Sequence, residues 1–391
     1  MLRTSLMHGV QASHLRRINE RAVLEHLRTG AFTAPELADR TGLSKPTIGT
    51  ALRTLQSADL VRDRGFRVGR SGQAPVEWGI NETAGFVLAV DVGTQWVRLK
   101  LGNLAGETVA ARRAGSGSAT AASILAALDR SLAELLAEAG VARSAIVFTV
   151  VGSPGVVDPV TGSINHASNL PGWDDPSTLG ELRARLGDRC VIMKDVYLSA
   201  LGETARRGGP AAEFVLFSIG RGVGSAVVHE GRPLTGARGA AGEIAFLPMT
   251  SGTAGGAPSV RGSFEEATSA DAMLERAAEL GGAFSTVEEL VDAWEAGDGT
   301  AEAVMQREVE LTTYALSALV VVVDPPLVVL AGSVGLRGGA RFATAVRQAL
   351  GRVLPFGLPA VEPSLAGEDA TLDGALDRAL DLGWARLLDV L

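Results

Sequence analysis

Residues 213–233 read EFVLFSIGRGVGSAVVHEGRP, a short apolar run followed by a glycine-rich turn and a second apolar run. Residues 85–107, GFVLAVDVGTQWVRLKLGNLAGE, have the same outline earlier in the chain. Apolar runs rich in β-branched and aromatic residues and separated by glycine predict two strands joined by a tight turn. Two copies, each followed by helical and strand-like segments, predict two α/β lobes with a cleft between them.

Each turn has residues that can present backbone amides to an anion. The first carries Asp91, Gly93 and Thr94, and the second carries Gly220, Arg221 and Gly222. Glycine lets a backbone approach a phosphate closely, and one such turn alone is a weak indication of nucleotide binding. Two facing turns are a stronger indication of nucleotide binding, because they would hold a phosphate chain from both sides. Arginine in the second turn leaves two interpretations open, since its side chain can bind an anion or fill the space that a phosphate needs.

The composition is that of a soluble globular protein of two or three domains, with 391 residues, 46% apolar and 20% charged. The single cysteine, Cys190, excludes a disulfide within one chain and favours a reducing cytoplasm. The N-terminal residues lack the uninterrupted apolar core of a signal peptide. Asp324-Pro325-Pro326 interrupts the one apolar stretch of membrane length, residues 314–331, so we expect a buried helix, a break and a buried strand there.

Charge is distributed unevenly along the chain. The formal net charge is -8, yet residues 1–80 hold 12 Lys+Arg against 7 Asp+Glu, which leaves 24 against 37 for the remainder. A basic segment on an acidic body predicts that the first 80 residues alone contact a polyanion.

Residues 16–57 are predicted to form three helices. Apolar residues recur at helical spacing from Arg16 onward, and Gly30 ends this first segment. Thr33 and Glu36 have the spacing of a capping box, which would begin a short second helix. Ser44 follows a glycine turn and can cap a third helix.

The third helix has one apolar and one polar face. Ile48, Leu52 and Leu55 form the apolar stripe, and the opposite face is rich in hydroxyl and basic groups. This arrangement, followed by a glycine-separated β-type segment, is typical of a winged helix-turn-helix that binds DNA. The alternative is a three-helix cap that binds protein. The candidate DNA contacts are Ser44, Lys45, Thr47, Thr50 and Arg53 in the helix and Arg67 and Arg70 in the wing.

Five motifs beyond residue 150 resemble, in order and spacing, those of the ROK family of sugar kinases and sugar-responsive repressors. They are GSPGVVD (152–158), NLPGW (169–173), KD (194–195), LGE (201–203) and GAAGEI (239–244). The resemblance extends from about Phe86 to the end of the chain, and the N-terminal helix-turn-helix is similar to the repressor branch. It implies an α/β protein: a winged helix-turn-helix in residues 1–80, then a two-lobed, actin/hexokinase-like domain in residues 85–391 that binds an effector and dimerises.

The resemblance also implies roles for individual residues. Asn169, Glu243 and Glu265 match positions that bind sugar hydroxyls, and Asp195 matches the base that removes a proton from the hydroxyl to be phosphorylated. These roles suit the chemistry, because a carboxylate accepts hydrogens from two hydroxyls and a positioned aspartate can act as the base in phosphoryl transfer.

Four departures from the family pattern argue against kinase activity. Lys194 stands where the kinases carry asparagine, and it is expected either to pair with Asp195 and lower its basicity or to favour an anionic sugar. Phe246 follows Gly-Glu-Ile-Ala, where the family has a histidine that contacts sugar and zinc. The family's cysteine cluster is absent from residues 250–265, which excludes a zinc site of that type. Arg221 replaces a threonine that is usual in the kinases.

Structural interpretations compete with each of these functional ones. Asp195 could be a strand-end or helix-cap carboxylate, Glu243 and Glu265 could be loop charges, and Lys194 could belong to a surface pair. Trp173 is expected to pack in the core rather than stack on a sugar.

The sequence therefore predicts a cytoplasmic, dimeric transcriptional regulator, a repressor by default, that binds a pseudo-palindromic DNA operator and a sugar or sugar derivative. Asp195 would be a vestigial base, the two glycine turns would be vestigial phosphate loops, and no metal, cofactor or membrane is predicted. Two alternatives stay open: an active ATP-dependent sugar kinase with a DNA-binding head, and a repressor whose cleft no longer senses a ligand.

Overall fold

The computed structural model describes residues 2–66, 75–94, 96–249 and 261–389. Within these ranges the strands form one three-stranded sheet, two five-stranded sheets and a two-stranded hairpin. The helices of the same ranges are all too short or too polar to span a lipid bilayer.

The N-terminal segment, called the head below, packs three helices on a sheet of order β1-β3-β2. Its elements are α1 (Leu2–Leu27), β1 (Phe32–Thr33), α2 (Ala34–Thr41), α3 (Lys45–Ser57), β2 (Val61–Phe66) and β3 (Val76–Ile80). The first helix begins well before Arg16, where the apolar pattern begins, and Ile18 is 50% exposed rather than buried. The apolar spacing marks the part of a helix that packs, and a helix continues beyond it where propensity allows.

The predicted caps of the head are confirmed. The Thr33 side chain accepts from the Glu36 amide, and the Glu36 carboxylate accepts from the Thr33 amide at 2.8 Å. Gly42 ends α2 in the left-handed region with φ 70°, and the Ser44 hydroxyl accepts from the Thr47 amide at 3.3 Å. The predicted inward face of α3 is buried, with its side chains at most 2% exposed: Ile48, Leu52 and Leu55.

The first five-stranded sheet has the order β10-β7-β4-β5-β6. Its elements and the helices and hairpin that follow them are β4 (Phe86–Val92), β5 (Trp96–Asn103), β6 (Thr108–Gly115), α4 (Ala121–Ala139), β7 (Ile146–Ser153), β8 (Val156–Val157), β9 (Ile164–Asn165), α5 (Pro176–Leu186), β10 (Cys190–Lys194) and α6 (Asp195–Arg206). Antiparallel strands β4 and β5 flank the first glycine turn, and their register places Asp91 opposite Arg98.

The second five-stranded sheet has the order β13-β12-β11-β14-β15 and repeats this arrangement. Its strands and the helices that accompany them are β11 (Phe214–Ile219), β12 (Val223–His229), β13 (Arg232–Pro233), α7 (Ser263–Thr268), α8 (Ala270–Glu279), α9 (Val287–Glu295), α10 (Gly299–Val323), β14 (Leu327–Ala331), α11 (Gly332–Val353) and β15 (Ala360–Pro363). The last helix, α12 (Ala370–Asp389), returns to the first lobe, where it packs on β4 and β7. The predicted break is confirmed, since Asp324 ends α10 in the left-handed region with φ 50° and the strand after it is buried.

Helices α6 and α12 cross at close range beside the cleft. A Cβ at Gly202 would collide with the backbone carbonyl of Ala370, and one at Gly374 would collide with that of Leu198. Glu203, also on α6, is fully buried and accepts from the amides of Leu365 and Ala366. The connection by which the chain returns to α12 is therefore fixed to α6.

The head and the first lobe share one hydrophobic cluster, in which residues of α1 and α3 join residues of β4 and α12. Arg28, the residue after α1, forms an ion pair with Asp381 of α12 at 2.8 Å. Arg62 and Arg64 of β2 both contact Glu82, which lies between the head and β4. These contacts dock the head against the end of α12 and the first sheet.

Candidate ligand-binding cleft and DNA-binding surface

The two glycine turns face the same cleft, as predicted. Its volume is about 330 Å³, and residues of both turns line it, including Gly93 and Thr94 from the first and Gly220 to Gly222 from the second. Asn169, Lys194, Asp195, Glu243 and Glu265 line it as well. All five residues predicted to contact a ligand thus converge on one cavity, whose volume is within the range of small-molecule sites.

Asn169 and Glu265, 96 positions apart in the sequence, meet through a hydrogen bond of 3.0 Å from the Asn169 amide to the Glu265 carboxylate. Glu265 is 6% exposed, and it also accepts from the Val223 amide at 3.1 Å and from Arg261 at 3.2 Å. Three donors thus fix the orientation of the carboxylate, so its position is set before a ligand hydroxyl binds.

Lys194 is buried at 5% exposure, and its ammonium group forms an ion pair with Glu243. It also lies 5.2 Å from the centre of the Tyr197 ring, within reach of a cation–π contact. The partner of Lys194 is therefore Glu243, not Asp195 as one of the two expectations had it. Residue 243 lies on a distant segment, so this pair has no local signature in the sequence.

Asp195 is the first residue of α6, and its carboxylate accepts from the Val196 amide at 2.7 Å. The pKa of Asp195 is raised to about 7, chiefly by burial and secondly by the nearby Asp91 carboxylate. Lys194 and the Val196 amide lower this pKa, but burial outweighs them. Lys194 thus acts on Asp195 in the predicted lowering direction, and the net rise in the pKa comes from burial.

In the first turn, the protein itself supplies a counter-ion to Asp91. The guanidinium of Arg98 donates from Nε to Asp91 at 2.8 Å and from Nη1 to the Glu368 carbonyl at 2.7 Å. Burial nevertheless raises the pKa of Asp91, and Arg98 acts in the lowering direction. The Gly93 amide is also engaged, since it donates to the Trp96 carbonyl at 2.8 Å.

In the second turn, backbone groups are engaged within the protein. The Gly220 amide donates to the Gly222 carbonyl at 3.0 Å, and the Val223 amide donates to Glu265. A Cβ at Gly222 would lie 2.9 Å from the Glu265 carboxylate, which explains the glycine at this position. The Arg221 side chain is exposed and, among the residues that the structure describes, has no ion-pair partner.

Trp173 is fully buried, and its indole donates to the Ser153 hydroxyl at 2.8 Å. Its predicted role in packing is confirmed.

Four residues in or near the cleft were not named as ligand contacts from the sequence: Arg261, His166 and Phe246 line it, and Arg98 lies behind the first turn. Arg98 has a signal, because the antiparallel hairpin places it directly across from Asp91. Arg261 is four residues from Glu265 on the approach to α7, a spacing at which helical side chains meet. Phe246 has a signal in the family resemblance, which places a sugar-contacting histidine at its position. His166 has no such signal, since it meets Phe246 only through the tertiary fold: both line the cleft, with ring centres 6.1 Å apart.

The polar face of α3 points away from the rest of the head. Ser44, Lys45, Thr50 and Arg53 are exposed, and Thr47 is half-buried. Thr50 donates to the Pro46 carbonyl at 3.0 Å and accepts from Arg53 at 3.1 Å, so these two side chains lie together on the exposed face. Arg67 and Arg70 lie outside the described residues.

Two α/β lobes of the same strand order, with a polar cleft between paired glycine turns, define a two-lobed α/β fold joined to a head of three helices and a small sheet. The sequence pattern of the ROK family matches residues 87–381. The chain belongs to the ROK family, which confirms the resemblance seen in its motifs.

Curated relatives include both repressors and kinases. The chain is 26% identical over 231 residues to a putative xylose repressor of Caldicellulosiruptor sp. (strain Rt8B.4), covering 59% of this chain and 57% of that one. It is 30% identical over 177 residues to a glucokinase of Halalkalibacterium halodurans, covering 44% of this chain and 52% of the relative. The matched region thus spans less than two thirds of the length of these relatives.

Solved structures show the same fold. A ROK family transcriptional regulator, a homologue of the E. coli MLC protein, has a TM-score of 0.74 at 18% identity and covers 96% of this chain and 100% of its own. A ROK glucokinase from Streptomyces griseus, solved with glucose and AMPPNP, has a TM-score of 0.64 at 20% identity and covers 76% of this chain and 100% of its own. The predicted α/β architecture is thereby confirmed.

Proposed function

We propose that the protein is a transcriptional regulator, in the first instance a repressor, whose binding to operator DNA is controlled by a sugar or sugar derivative in the cleft. The observation that carries the proposal is the presence on one chain of an exposed polar helix α3 and a cleft in which Asn169 and Glu265 are oriented for hydroxyl groups. The xylose repressors among the relatives make xylose the first ligand to test.

The proposed roles of the two parts of the chain follow their net charges, since residues 1–80 are basic and the remainder is acidic. Residues 1–80 are the proposed DNA-binding unit, and residues 85–391 are the proposed effector-binding and dimerisation unit. Lys45 and Arg53 lie on the exposed face of α3, where they would contact phosphates or base edges in the major groove. Two heads in a dimer would read the two halves of a pseudo-palindromic operator.

A physical connection between the cleft and the head supports ligand control. Helix α6 begins at Asp195 in the cleft and packs closely on α12 through Gly202 and Gly374. The further end of α12 joins the hydrophobic cluster of the head and pairs with Arg28. A ligand that binds one arrangement of the lobes more tightly would shift the population of head positions, and hence the operator affinity.

Phosphoryl transfer is disfavoured because groups that would serve a nucleotide are already bound within the protein. Arg98 holds Asp91, and the amides of Gly93, Gly220 and Val223 donate to protein acceptors. A phosphate chain would have to displace these contacts. We therefore propose that the cleft is a degenerate kinase site in which Asp195 no longer acts as a base.

The test of the proposal is binding of the full chain to DNA from upstream of its own gene, measured by fluorescence anisotropy at several salt concentrations. Lys45→Ala and Arg53→Ala are each expected to weaken binding by about tenfold and to reduce the salt dependence. Arg347→Ala is the matched control, since Arg347 is an exposed arginine of α11 in the second lobe. Equal effects of all three changes, or binding insensitive to salt, would remove the DNA-binding proposal.

The effector arm of the test adds xylose, glucose or an acidic sugar to the complex. Release of DNA and a higher melting temperature of the free protein are expected from the true ligand. Unchanged DNA binding and melting temperature across the panel would leave a repressor with a non-sensing cleft.

One observation favours an active sugar kinase as the second candidate. A pKa of about 7 suits Asp195 to act as a base at neutral pH. Turnover of ATP with a sugar, abolished by Asp195→Asn, would establish this alternative. Absence of both turnover and ATP binding would eliminate it.

A further inference from the structure

Two aromatic rings meet at the cleft on the side of the proposed sugar contacts. The His166 and Phe246 rings are 6.1 Å apart with an interplanar angle of 67°, which is an edge-to-face pair. Both residues line the cavity, and Phe246 is 46% exposed. The pair thus presents ring surface to the space that a ligand would enter.

Each ring stands close along the chain to a proposed hydroxyl contact. His166 lies three positions before Asn169, and Phe246 lies three positions after Glu243, at the end of the short 3-10 helix Ile244–Phe246. The Phe246 amide donates to the Glu243 carbonyl, so this segment is a single turn. A sugar held between Asn169 and Glu243 would have the two rings at its edge.

Phenylalanine changes what this edge of the site can recognise. Its ring has no group that hydrogen-bonds a hydroxyl, whereas it offers apolar surface to a substituent. A polar hydroxyl placed against Phe246 would lose its hydration without gaining a partner, which is unfavourable.

The charged groups beside the rings are paired with each other. Lys194 is bound to Glu243, and Arg261 is bound to Glu265. An anionic substituent on this side would have to compete with an existing carboxylate for either cation. Beside the rings this favours an uncharged group over the acidic one that Lys194 alone suggests, while Arg221 lies at the second glycine turn of the cleft.

We propose that His166 and Phe246 form a subsite for an apolar substituent, so that the effector is an uncharged glycoside with an aryl or similarly apolar group rather than a free sugar or sugar phosphate. The proposal rests on the proposed function, and it adds the chemical class of the effector. The polar part of the ligand lies against Asn169, Glu243 and Glu265, and the apolar group lies against the two rings.

The experiment compares methyl and phenyl glycosides of xylose and glucose, in both anomers, by calorimetry on the full chain. The better phenyl anomer is expected to bind about tenfold more tightly than its methyl counterpart, as one favourable aromatic contact allows. Phe246→Ala is expected to reduce that ratio to about one, because the ring contacts the substituent, so the affinity for the phenyl glycoside falls about tenfold more than that for the methyl glycoside. Phe246→His, which keeps a ring but adds polar atoms, serves as a second variant should the alanine protein fail to fold.

Phe356→Ala is the matched control, because Phe356 is 49% exposed and lies outside the cleft lining. It should leave the phenyl-to-methyl ratio unchanged. Equal binding of phenyl and methyl glycosides, or equal losses for both in Phe246→Ala, would overturn the subsite. If the glycosides still release operator DNA in that case, the proposed function stands without the subsite. Absence of binding by every glycoside would overturn the subsite and the sugar-sensing part of the function together, while operator binding is judged separately.

Discussion

One arginine accompanies each glycine turn, and the two arginines have opposite surroundings. Arg98, beside the first turn, is bound to Asp91 and to the Glu368 carbonyl, and its side chain is 21% exposed. Arg221, within the second turn, is exposed to the cleft. The second turn is instead held by the Glu265 carboxylate through the Val223 amide. The first arginine therefore contributes to the fold, whereas the second is available to solvent or ligand.

The largest expected effect is that of Arg98→Ala, because it leaves Asp91 buried without its counter-ion. Losing one partner of a largely buried pair is expected to lower the free energy of unfolding by about 3 kcal/mol. Urea unfolding followed by circular dichroism measures it.

The control for this change is the double variant with Asp91→Asn. Because asparagine needs no counter-ion, Arg98→Ala should cost at least about 1 kcal/mol less in that background. Equal losses in both backgrounds would mean that the pair does not stabilise the fold.

The pH dependence of stability tests the second carboxylate of this region, Asp195. Its pKa rises from 3.8 in the unfolded chain to about 7 in the folded one, so between these values the folded state binds more protons. Its contribution to stability is therefore fully present below pH 4 and is lost as the pH rises through 7.

Relative to Asp195→Asn, the wild-type protein should lose about 2 kcal/mol between pH 5 and pH 7. Parallel curves for the two proteins, from urea unfolding at each pH, would contradict the raised pKa. The asparagine variant is itself the control, because all other titrating groups are retained.

At the second turn, Glu265→Gln should have an intermediate effect. An amide replaces one acceptor oxygen by a donor, so it cannot satisfy Asn169, Val223 and Arg261 together. A loss of about 1–2 kcal/mol in the free energy of unfolding is expected. Glu275→Gln on the exposed side of α8 is the matched control, and an equally small change in both would show that Glu265 does not hold the turn.

The smallest effect is expected for Arg221→Thr, which introduces the residue usual in the family's kinases. As an exposed side chain, it should change stability by less than about 0.5 kcal/mol. It should not create ATP-dependent phosphorylation of glucose or xylose, because Gly220 and Val223 still donate to protein acceptors. Measurable turnover in this variant, absent from the wild type, would identify Arg221 as the block to catalysis.

Local features of the fold were predictable from the sequence because their partners are close along the chain. The Thr33–Glu36 capping box, the Ser44 cap and the break at Asp324 each depend on residues within a few positions. The start of α1 was not predictable from the sequence, because the apolar pattern marks only the part of the helix that packs against the rest of the head.

The sequence predicted which residues line the cleft, but not which of them contact each other. The paired turns and the family motifs brought Asn169, Asp195 and Glu265 to one site. The choice of Glu243 as the partner of Lys194, and the meeting of His166 with Phe246, depend on how distant loops are placed by the two sheets. No spacing along the chain encodes those distances.

The backbone contact at Gly202 and Gly374 has a mechanical consequence. Where two helices touch without intervening side chains, no layer is present that could slide, so relative motion there is rotation about a pivot. Asp381 lies seven residues, or roughly 10 Å, beyond Gly374 along α12, so a rotation of about 10° would carry it by about 2 Å. That displacement is comparable with the 2.8 Å contact between Asp381 and Arg28, so a rotation of this size would be enough to break the ion pair that joins α12 to the head.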